Sequence, residues 1–511
     1  MPRLHRFGLL SAALLGSAVP ASAAEAAIDD SWVREHLAVM DVLFADVVHV
    51  LATFLFADLG TGVPLIVAVL LFGGIYYSFY FGWISLRGFR HSIDVIRGRF
   101  DNPDDPGEIT HFQALTSALS ATVGLGNIAG VAIAVSLGGP GAIFWMLLTA
   151  LFGMSSKLAS CTLAVMYRRV HPDGHISGGP MYYLENGLGA KGLKEFGRTL
   201  AVLFAVLTVG GSLGGGNMFQ ANQTLEILGT VSPWFKTYNW IVGVGLAVLV
   251  ALVILGGIRR IGRVTSRIVP LMCLLYVAAS LLIIISHIGD VPHMIATIFS
   301  EAFNASAIFG GFFGVLVTGI KRAAFSNEAG LGSAAFAHSA ARTNEAAREG
   351  MVAMIGPFID TIIICLMTGL VCMITGVYAD PQFQAQQGFA VGVRMTAAAF
   401  DSFIPGARYV LAVAVMLFAY STMISWSYYG ERAWEYLFGA ASTVLYRIIF
   451  VFFVFVGSVT ALSNVLDFSD MMILGMAFPN IIGGVILSPQ IKACLQDYLG
   501  RLRSGEMKRY R

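Results

Sequence analysis

Apolar runs of about 18 or more residues recur along the whole chain, and each is long enough to cross a ~30 Å hydrocarbon core as a helix. Of the 511 residues, 57% are hydrophobic and 12% are charged, whereas a soluble domain would be about a quarter charged. The chain is therefore predicted to be an all-α integral membrane protein. Its five cysteines form no CxxC motif, so neither a metal centre nor a disulfide framework is expected.

The apolar runs predict about eleven transmembrane helices. The first, 62–86, stands apart as an extra N-terminal helix, and the others form two blocks of five within 111–287 and 308–488. The helices are predicted at 62–86, 111–137, 141–167, 197–227, 239–257, 268–287, 308–345, 351–377, 407–430, 442–460 and 467–488.

The N-terminus has the pattern of a secretory signal peptide. Arg3 and Arg6 precede a short apolar run, and Ala21-Ser22-Ala23 follows as a cleavage site. We predict a signal peptide over 1–23, with an uncleaved anchor as the alternative. Residues 24–61 contain charged and polar interruptions and are predicted to form a periplasmic amphipathic segment, with a twelfth span as the alternative.

Basic residues predict the orientation of the chain. With the N-terminus outside, the cytoplasmic segments carry 23 of the 32 Lys and Arg residues, counting the borderline Arg342, and the outside segments carry four. The positive-inside rule therefore favours an outside N-terminus and a basic cytoplasmic tail over 489–511. The expected location is a bacterial cytoplasmic (inner) membrane.

Two of the predicted helices are interrupted by glycine. The stretch SATVGLGNIAGVA (120–132) contains Gly124, Gly126 and Gly130 beside Asn127, and AAFSNEAGLGSAAFAHSAA (323–341) repeats Gly-Leu-Gly. Each interruption lies in the first helix of its block, which predicts a five-plus-five inverted repeat with a site between two discontinuous helices. Close helix packing through small residues is the alternative explanation.

A break in a membrane helix frees backbone groups for ligands. Its N–H groups favour a carboxylate, and its carbonyl oxygens suit a small hard cation. Glycine also lets a ligand approach the backbone closely. One unwound helix can therefore hold an amino acid carboxylate and a sodium ion side by side.

Four segments strongly resemble the alanine or glycine:cation symporter family. They are HFQALTSALSATVGLGNIAGVAIA (111–134), GGGNMFQANQT (214–224), FSNEAGLGSAAFAHSAA (325–341) and FAYSTMISWSYYGERA (418–433). The resemblance runs from about residue 60 to 490. It implies sodium- or proton-coupled uptake of small neutral amino acids such as alanine or glycine. It also implies the inverted-repeat fold of the amino acid–polyamine–cation superfamily with one extra N-terminal helix.

A more distant resemblance concerns individual residues. Val123-Gly124-Leu125-Gly126-Asn127 is similar to the unwound helix of the neurotransmitter:sodium symporters, which implies that backbone amides near Leu125 and Gly126 hold the substrate carboxylate. The same resemblance implies a sodium site of carbonyl and hydroxyl oxygens from Ser120, Val123, Ala419, Ser421 and Thr422. In the family pattern the third residue after the lysine of helix 3 is often a glutamate. In this chain the lysine is Lys157 and the third residue after it is Ser160.

Several polar and aromatic side chains at membrane depth are further candidates. The amides on helix 4 are read as substrate contacts or as interhelical hydrogen bonds, with Asn222 structural. The candidate substrate contacts are Gly124, Leu125, Gly126, Asn127, Asn217, Gln220 and Asn327. Aromatic residues line the cavity or simply pack, and they are Phe219, Phe325, Trp426, Tyr428 and Tyr429.

Four charged residues are candidates for coupling or gating, since a charge inside a membrane usually has a function. Glu328 binds the substrate ammonium, carries a coupling proton, or pairs with Arg322 or Lys321. Asp360 pairs with Lys157, coordinates a cation, or carries a proton.

The sequence thus predicts sodium-coupled symport of alanine or glycine, with proton-coupled uptake of a related amino acid as the alternative. An ion channel is less favoured because it needs a continuous pore, and the absence of an HExxH motif gives no sign of a zinc-dependent enzyme. The expected ligands are Na⁺, a small neutral amino acid and membrane lipid, with no organic cofactor and no nucleic acid. The oligomeric state stays open, with a monomer as one alternative.

Overall fold

The structure is a computed structural model. It describes residues 62–510 apart from 173, 304–310, 385–391 and 460–462, together with 53, 57 and 60. The predicted signal peptide (1–23) and nearly all of the predicted amphipathic segment (24–61) lie outside these residues.

The described chain is almost entirely helical. Its α-helices in chain order are α1 (Leu65–Tyr80), α2 (Ile84–Arg87), α3 (Phe89–Ile96), α4 (His111–Thr122), α5 (Val131–Gly138), α6 (Gly141–Met166), α7 (Pro180–Tyr182), α8 (Lys194–Leu213), α9 (Phe219–Val231), α10 (Pro233–Thr237), α11 (Asn239–Ile254) and α12 (Gly257–Ser286). The second half continues with α13 (Val291–Phe303), α14 (Gly311–Asn327), α15 (Ala335–Ser339), α16 (Ala346–Ala353), α17 (Ile355–Pro357), α18 (Leu366–Ile374), α19 (Pro381–Gln384), α20 (Gly392–Phe403), α21 (Ala407–Phe438), α22 (Thr443–Val459), α23 (Ser463–Gly475) and α24 (Ala477–Ser504).

Shorter elements complete the description. Strands β1 and β2 form a two-stranded antiparallel ribbon, Arg169–Val170 against Ile176–Ser177. Wider π-helical turns occur at Gly126–Gly130, Tyr183–Gly187, Gly214–Met218 and Phe358–Cys365, and 3₁₀ turns at Val377–Ala379 and Ala440–Ser442.

Within the described residues, seven continuous helical segments are long and apolar enough to cross a membrane, or eight when the bent pair α4 and Gly126–Gly138 counts as one span. The shorter apolar helices α1 and α11 and the second broken helix, which begins with α14, account for the remainder of the predicted spans. The prediction of an all-α membrane protein is confirmed.

Two helix ends differ from the predicted bounds. Helix α12 begins at Gly257, about three turns before the predicted 268, because its basic first turns continue the helix outside the apolar run. Helix α24 extends to Ser504, so the basic tail predicted over 489–511 is largely helical. Ile491, Leu495 and Tyr498 are buried along one face of this extension, which explains why it stays helical.

Both glycine interruptions break their helices, as predicted. The first broken helix stops at Thr122 and resumes at Gly126 with a bend of 52°. The second ends at Asn327 and resumes at Ala335. Gly330 and Gly332 within this gap have φ values of +83° and +89°, a conformation that residues with a Cβ rarely adopt.

The helices α6 and α14 approach closely through a glycine. A Cβ placed on Gly319 would lie 2.6 Å from the carbonyl oxygen of Ala142 and 2.6 Å from Cβ of Trp145. Small residues at such crossings let two backbones pack together in a membrane. The crossing holds the first half of the second broken helix against the long helix α6.

We therefore expect Gly319→Ala to destabilise the protein by about 1–3 kcal/mol because the added methyl overpacks the crossing. The matched control is Gly245→Ala in α11, where a Cβ would meet nothing within 4 Å. Both changes gain the same helix propensity, so their difference isolates the crossing. Thermal unfolding in detergent checks this, and equal melting temperatures for the two variants would contradict it.

Candidate functional site

The first break leaves a backbone donor without a partner. The Gly124 N–H donates to the side-chain oxygen of Asn127 at 3.0 Å, and the carbonyls of Gly124 and Leu125 accept bonds from the next helical turn. No acceptor among the described residues lies within hydrogen-bonding distance of the Leu125 N–H, although this residue is fully buried. A buried N–H without an acceptor is costly, so this group is suited to an anionic ligand.

Asp360 connects the two broken helices. Its carboxylate accepts hydrogen bonds from the Asn127 amide at 2.7 Å, from Ser326 Oγ at 2.8 Å and from Thr361 Oγ1 at 2.7 Å. Asn127 follows the first break and Ser326 precedes the second. The structure does not contain the predicted pairing of Asp360 with Lys157. The hydrogen bonds to this carboxylate come from three uncharged donors instead.

Lys157 instead supports the second break. Its ammonium donates to the carbonyl oxygen of Asn327 at 3.0 Å, the last residue of α14, where a cation complements the C-terminal end of a helix. The Asn327 side chain donates to Thr361 Oγ1 at 3.0 Å and accepts from the Ala329 N–H at 2.9 Å. Both groups of this amide are therefore used within the break.

A narrow cavity lies between the two breaks. Its volume is about 10 Å³, which is room for about one water molecule. The first break, α9, α14, α21 and α23 surround it. Its lining residues are Ala121, Thr122, Gly124, Gly126, Gly215, Gln220, Phe325, Glu328, Thr422, Trp426 and Ile473.

Only one of the two predicted helix-4 amides reaches this cavity. Gln220 lines it, donates through Nε2 to the carbonyl of Gly215 at 2.9 Å, and leaves Oε1 buried without a hydrogen-bond partner. Asn217 lies outside the lining and donates to the carbonyl of Phe450 at 2.7 Å. This bond joins two helices, and Oδ1 of Asn217 is buried without a hydrogen-bond partner among the described residues.

Glu328 also lines the cavity. Its backbone is left-handed at φ 55°, and its carboxylate accepts a hydrogen bond from Ser333. The predicted pairing with Arg322 is corrected, because Arg322 forms an ion pair with Asp470 of α23. The Arg322 guanidinium lies 5.3 Å from the centroid of the Phe325 ring, beside the cavity.

The predicted sodium ligands lie where α21 meets the end of α4. Thr422 Oγ1 donates to the carbonyl oxygen of Ser120 at 3.0 Å, and Ser120 Oγ donates to the carbonyl of Ser421 at 2.6 Å. The Ser421 hydroxyl turns to the Phe418 carbonyl of its own helix at 3.0 Å. Val123 and Ala419 are fully buried. Carbonyl and hydroxyl oxygens of this kind fit a hard cation.

The predicted aromatic residues divide into two groups. Phe325 and Trp426 line the cavity, and Phe219 packs edge-on against Phe325 with ring centroids 5.8 Å apart. Tyr428 and Tyr429 are buried on α21 but lie outside the lining.

Sequence reasoning missed three features of the site. Ile473 comes from a helix with no polar signal. Asp470 lies three residues before Ile473 and was not considered as a partner for Arg322. A Cβ on Gly216 would lie 2.4 Å from the Trp426 ring, so this glycine sets the position of the indole. The Gly-Gly-Gly run before Asn217 was the available signal for that contact.

Known proteins are similar to this chain over most of its length. The model of the sodium:alanine symporter family matches residues 40–511. The sodium/alanine symporter AgcS of Methanococcus maripaludis is 42% identical over 87% of this chain and 96% of its own. The amino-acid carrier protein AlsT of Bacillus subtilis is 34% identical over 84% of this chain and 89% of its own.

A solved structure shares the fold. The crystal structure of MhsT in complex with L-phenylalanine superposes with a TM-score of 0.51 at 14% identity, covering 76% of this chain and 99% of that one. The matched family and relatives are symporters and carriers, so the prediction of a transporter rather than an enzyme is confirmed. With a family model that covers most of its length and relatives that align nearly end to end, the chain belongs to the sodium:alanine symporter family.

Proposed function

We propose that this protein is a sodium-coupled symporter that carries alanine or glycine into the cell by alternating access. The observation that carries the proposal is the pairing, at one helix break, of a free buried N–H at Leu125 with a carbonyl–hydroxyl contact between Ser120 and Thr422. An anionic and a cationic ligand can be held there within one unwound segment.

The amino acid would bind in the cavity between the breaks. Its carboxylate would accept from the Leu125 N–H, with Gly124 and Gly126 allowing close approach. Its ammonium would donate to Gln220 Oε1, which has no other partner, and to the Glu328 carboxylate. In this proposal Asn127 and Asn327 do not touch the substrate, because both groups of each amide already make bonds within the protein. They would fix the shape of the breaks. Asn217 does not touch it because this residue lies outside the cavity lining, although its Oδ1 has no hydrogen-bond partner.

The small cavity favours a small substrate. Phe325, Trp426 and Ile473 form its apolar wall, and the space they leave is smaller than any amino acid. Binding would therefore require these side chains to move outward slightly, and a larger side chain would demand a larger displacement of packed groups. Alanine or glycine would demand the least.

Sodium would bind to oxygens of Ser120, Val123, Ala419, Ser421 and Thr422, with Ser421 rotating its hydroxyl away from its own helix. An ion at this place would fix the end of α4, and the same residues lead into the break that holds the carboxylate. Each ligand would therefore strengthen the other by the same factor. If a proton replaced sodium, Glu328 would be the first candidate to carry it, since it lines the cavity and Asp360 does not.

The Arg322–Asp470 ion pair is proposed as a gate on the outer side of the cavity. The positive-inside rule places α14 entering from outside, in an inner membrane with an external N-terminus. Exposed apolar residues on α12, among them Leu274 and Ile285, would contact lipid. The two breaks would then be the moving parts of an inverted repeat.

The decisive experiment is uptake of radiolabelled alanine into proteoliposomes with and without an inward sodium gradient. We expect sodium-dependent accumulation, and we expect Thr422→Ala to raise the sodium concentration for half-maximal uptake by about tenfold or more. Loss of a hydrogen bond or ligand contact to a charged group costs about 1.5–3 kcal/mol. Thr375→Ala, whose hydroxyl bonds only to its own helix, is the matched control. Accumulation driven by a proton gradient alone would overturn the sodium assignment.

A second variant tests the place of the substrate. A Cβ on Gly124 would lie 2.5 Å from Thr422 Oγ1 and 3.6 Å from Gln220 Oε1, whereas a Cβ on Gly130 would meet nothing within 4 Å. We expect Gly124→Ala to weaken alanine binding by about tenfold or more, since it fills the cavity. Gly130→Ala should bind normally. Equilibrium binding to purified protein measures both, and normal binding by Gly124→Ala would place the substrate elsewhere.

A further inference from the structure

A buried carboxylate lies between two imidazoles at one end of the helix bundle, away from the cavity. Glu349 of α16 is bonded through one oxygen to His111 Nδ1 and through the other to His338 Nδ1, the latter at 2.5 Å. All three side chains are buried to 1% exposure or less. We call these three residues the His–Glu–His cluster. The substrate and sodium sites do not use it.

The cluster has unused capacity for protons. Both imidazoles present Nδ1 to the carboxylate, and the Nε2 atoms of His111 and His338 are buried without a hydrogen-bond partner among the described residues. With both imidazoles neutral, the cluster carries one negative charge, and a single added proton makes it neutral. An uncompensated buried charge is costly, so burial favours the singly protonated form.

One side of the cluster leads to water. His111 Nε2 lies 3.8 Å from Asp101 Oδ1, and the Asp101 side chain is 36% exposed. Asp101 lines an open surface cavity of about 380 Å³, together with Thr110, Arg342 and Tyr510. A small rotation of Asp101 would complete a hydrogen bond to Nε2. The Asp101 carboxylate therefore lies between the buried imidazole of His111 and bulk water.

Other titratable and charged groups near the cluster are few. Cys161 of α6 interacts electrostatically with Glu349. Arg168, which lies just after the end of α6, does so as well. Arg168 donates to the carbonyl oxygens of Ser339 and Ala341 and so holds the chain just after His338. Arg348, next to Glu349, donates to the Phe100 carbonyl.

We propose that the His–Glu–His cluster is a proton-binding site that exchanges with the solvent at the Asp101 surface. A hydronium ion protonates the Asp101 carboxylate, and the proton then moves to His111 Nε2. Asp101 returns to its charged form and His111 becomes an imidazolium with N–H groups on both nitrogens. The site is independent of the substrate site, and the orientation proposed above puts its entrance on the cytoplasmic side.

The position of the cluster gives the proton a conformational effect. His111 begins the first broken helix and His338 ends the second, and Glu349 joins both to α16. Opening of this end of the bundle would separate the carboxylate from the imidazoles, and a proton bound in the cluster would lose its negatively charged partner. By linkage, a lower pH on this side stabilises the closed arrangement, and a higher pH favours opening.

The test is a pH titration of imidazole ¹⁵N resonances in the full-length, histidine-labelled protein held in lipid nanodiscs. His111→Gln and His338→Gln assign the two signals. We expect Glu349→Gln to weaken proton binding at both imidazoles by about tenfold or more, because an adjacent opposite charge is removed. Asp101→Asn should weaken it at His111 alone, by about two- to threefold, since this carboxylate is partly exposed. His293→Gln on the exposed face of α13 is the matched control and should leave both signals unchanged.

The outcomes separate the proposal from a structural role. If both imidazoles stay neutral from about pH 5 to about pH 8, with or without Glu349, the cluster is only a packing contact and the proposal fails. If Glu349→Gln does not fold, Asp101→Asn decides, because an unchanged His111 titration removes the loading route. None of these readouts needs transport, so they stand or fall separately from the proposed symport.

Discussion

The structure depends on the satisfaction of backbone groups where two membrane helices are broken. Unpaired N–H and C=O groups are tolerated at membrane depth only when protein or a polar cavity supplies partners. Here Asn127 caps the first break and Lys157 supports the second. Asp360 joins the two. The Leu125 N–H, which lines up with neither the helix before the break nor the one after it, has no acceptor among the described residues, and this spare donor is the one on which the proposed substrate site rests.

This requirement is the reason that the proposed site leaves out several polar residues at the breaks. An amide side chain has few donors and acceptors, and one already bonded to the backbone has little left for a substrate. Asn327 uses its NH₂ group and its oxygen within the second break, whereas Gln220 keeps an oxygen unpaired. Residue type alone therefore does not identify a ligand. The proposed site therefore rests on two criteria together, a hydrogen-bonding atom without a partner and a place in the cavity lining, and Gln220 meets both.

The sequence was sufficient for the architecture and for the place of the breaks, because apolar length and glycine spacing are local signals. It could not assign partners across the bundle. Arg322 pairs with Asp470, which is 148 residues away, although Glu328 is nearer in the chain. The left-handed backbone at Glu328 turns that carboxylate toward the cavity, and no pattern in the residues announces such a turn. The contacts of Glu349 with His111 and His338 are likewise invisible in the sequence, since Glu349 becomes their shared neighbour only in the fold.

The two regions that hold the second broken helix, the Arg322–Asp470 pair and the His–Glu–His cluster, use different chemistry, and this difference bears on the proposed alternating access. Beside the cavity, Arg322 and Asp470 form a charged pair whose strength changes little near neutral pH, because guanidinium keeps its proton. At the opposite end of the bundle, His111 of the first broken helix and His338 of the second both bond to Glu349. Imidazole is the side chain that ordinarily changes its charge in the physiological range. A transporter must open its two ends in turn and never together. If the Arg322–Asp470 pair closes one end and the His–Glu–His cluster the other, as proposed, solvent pH would act on one step of the cycle without weakening the other.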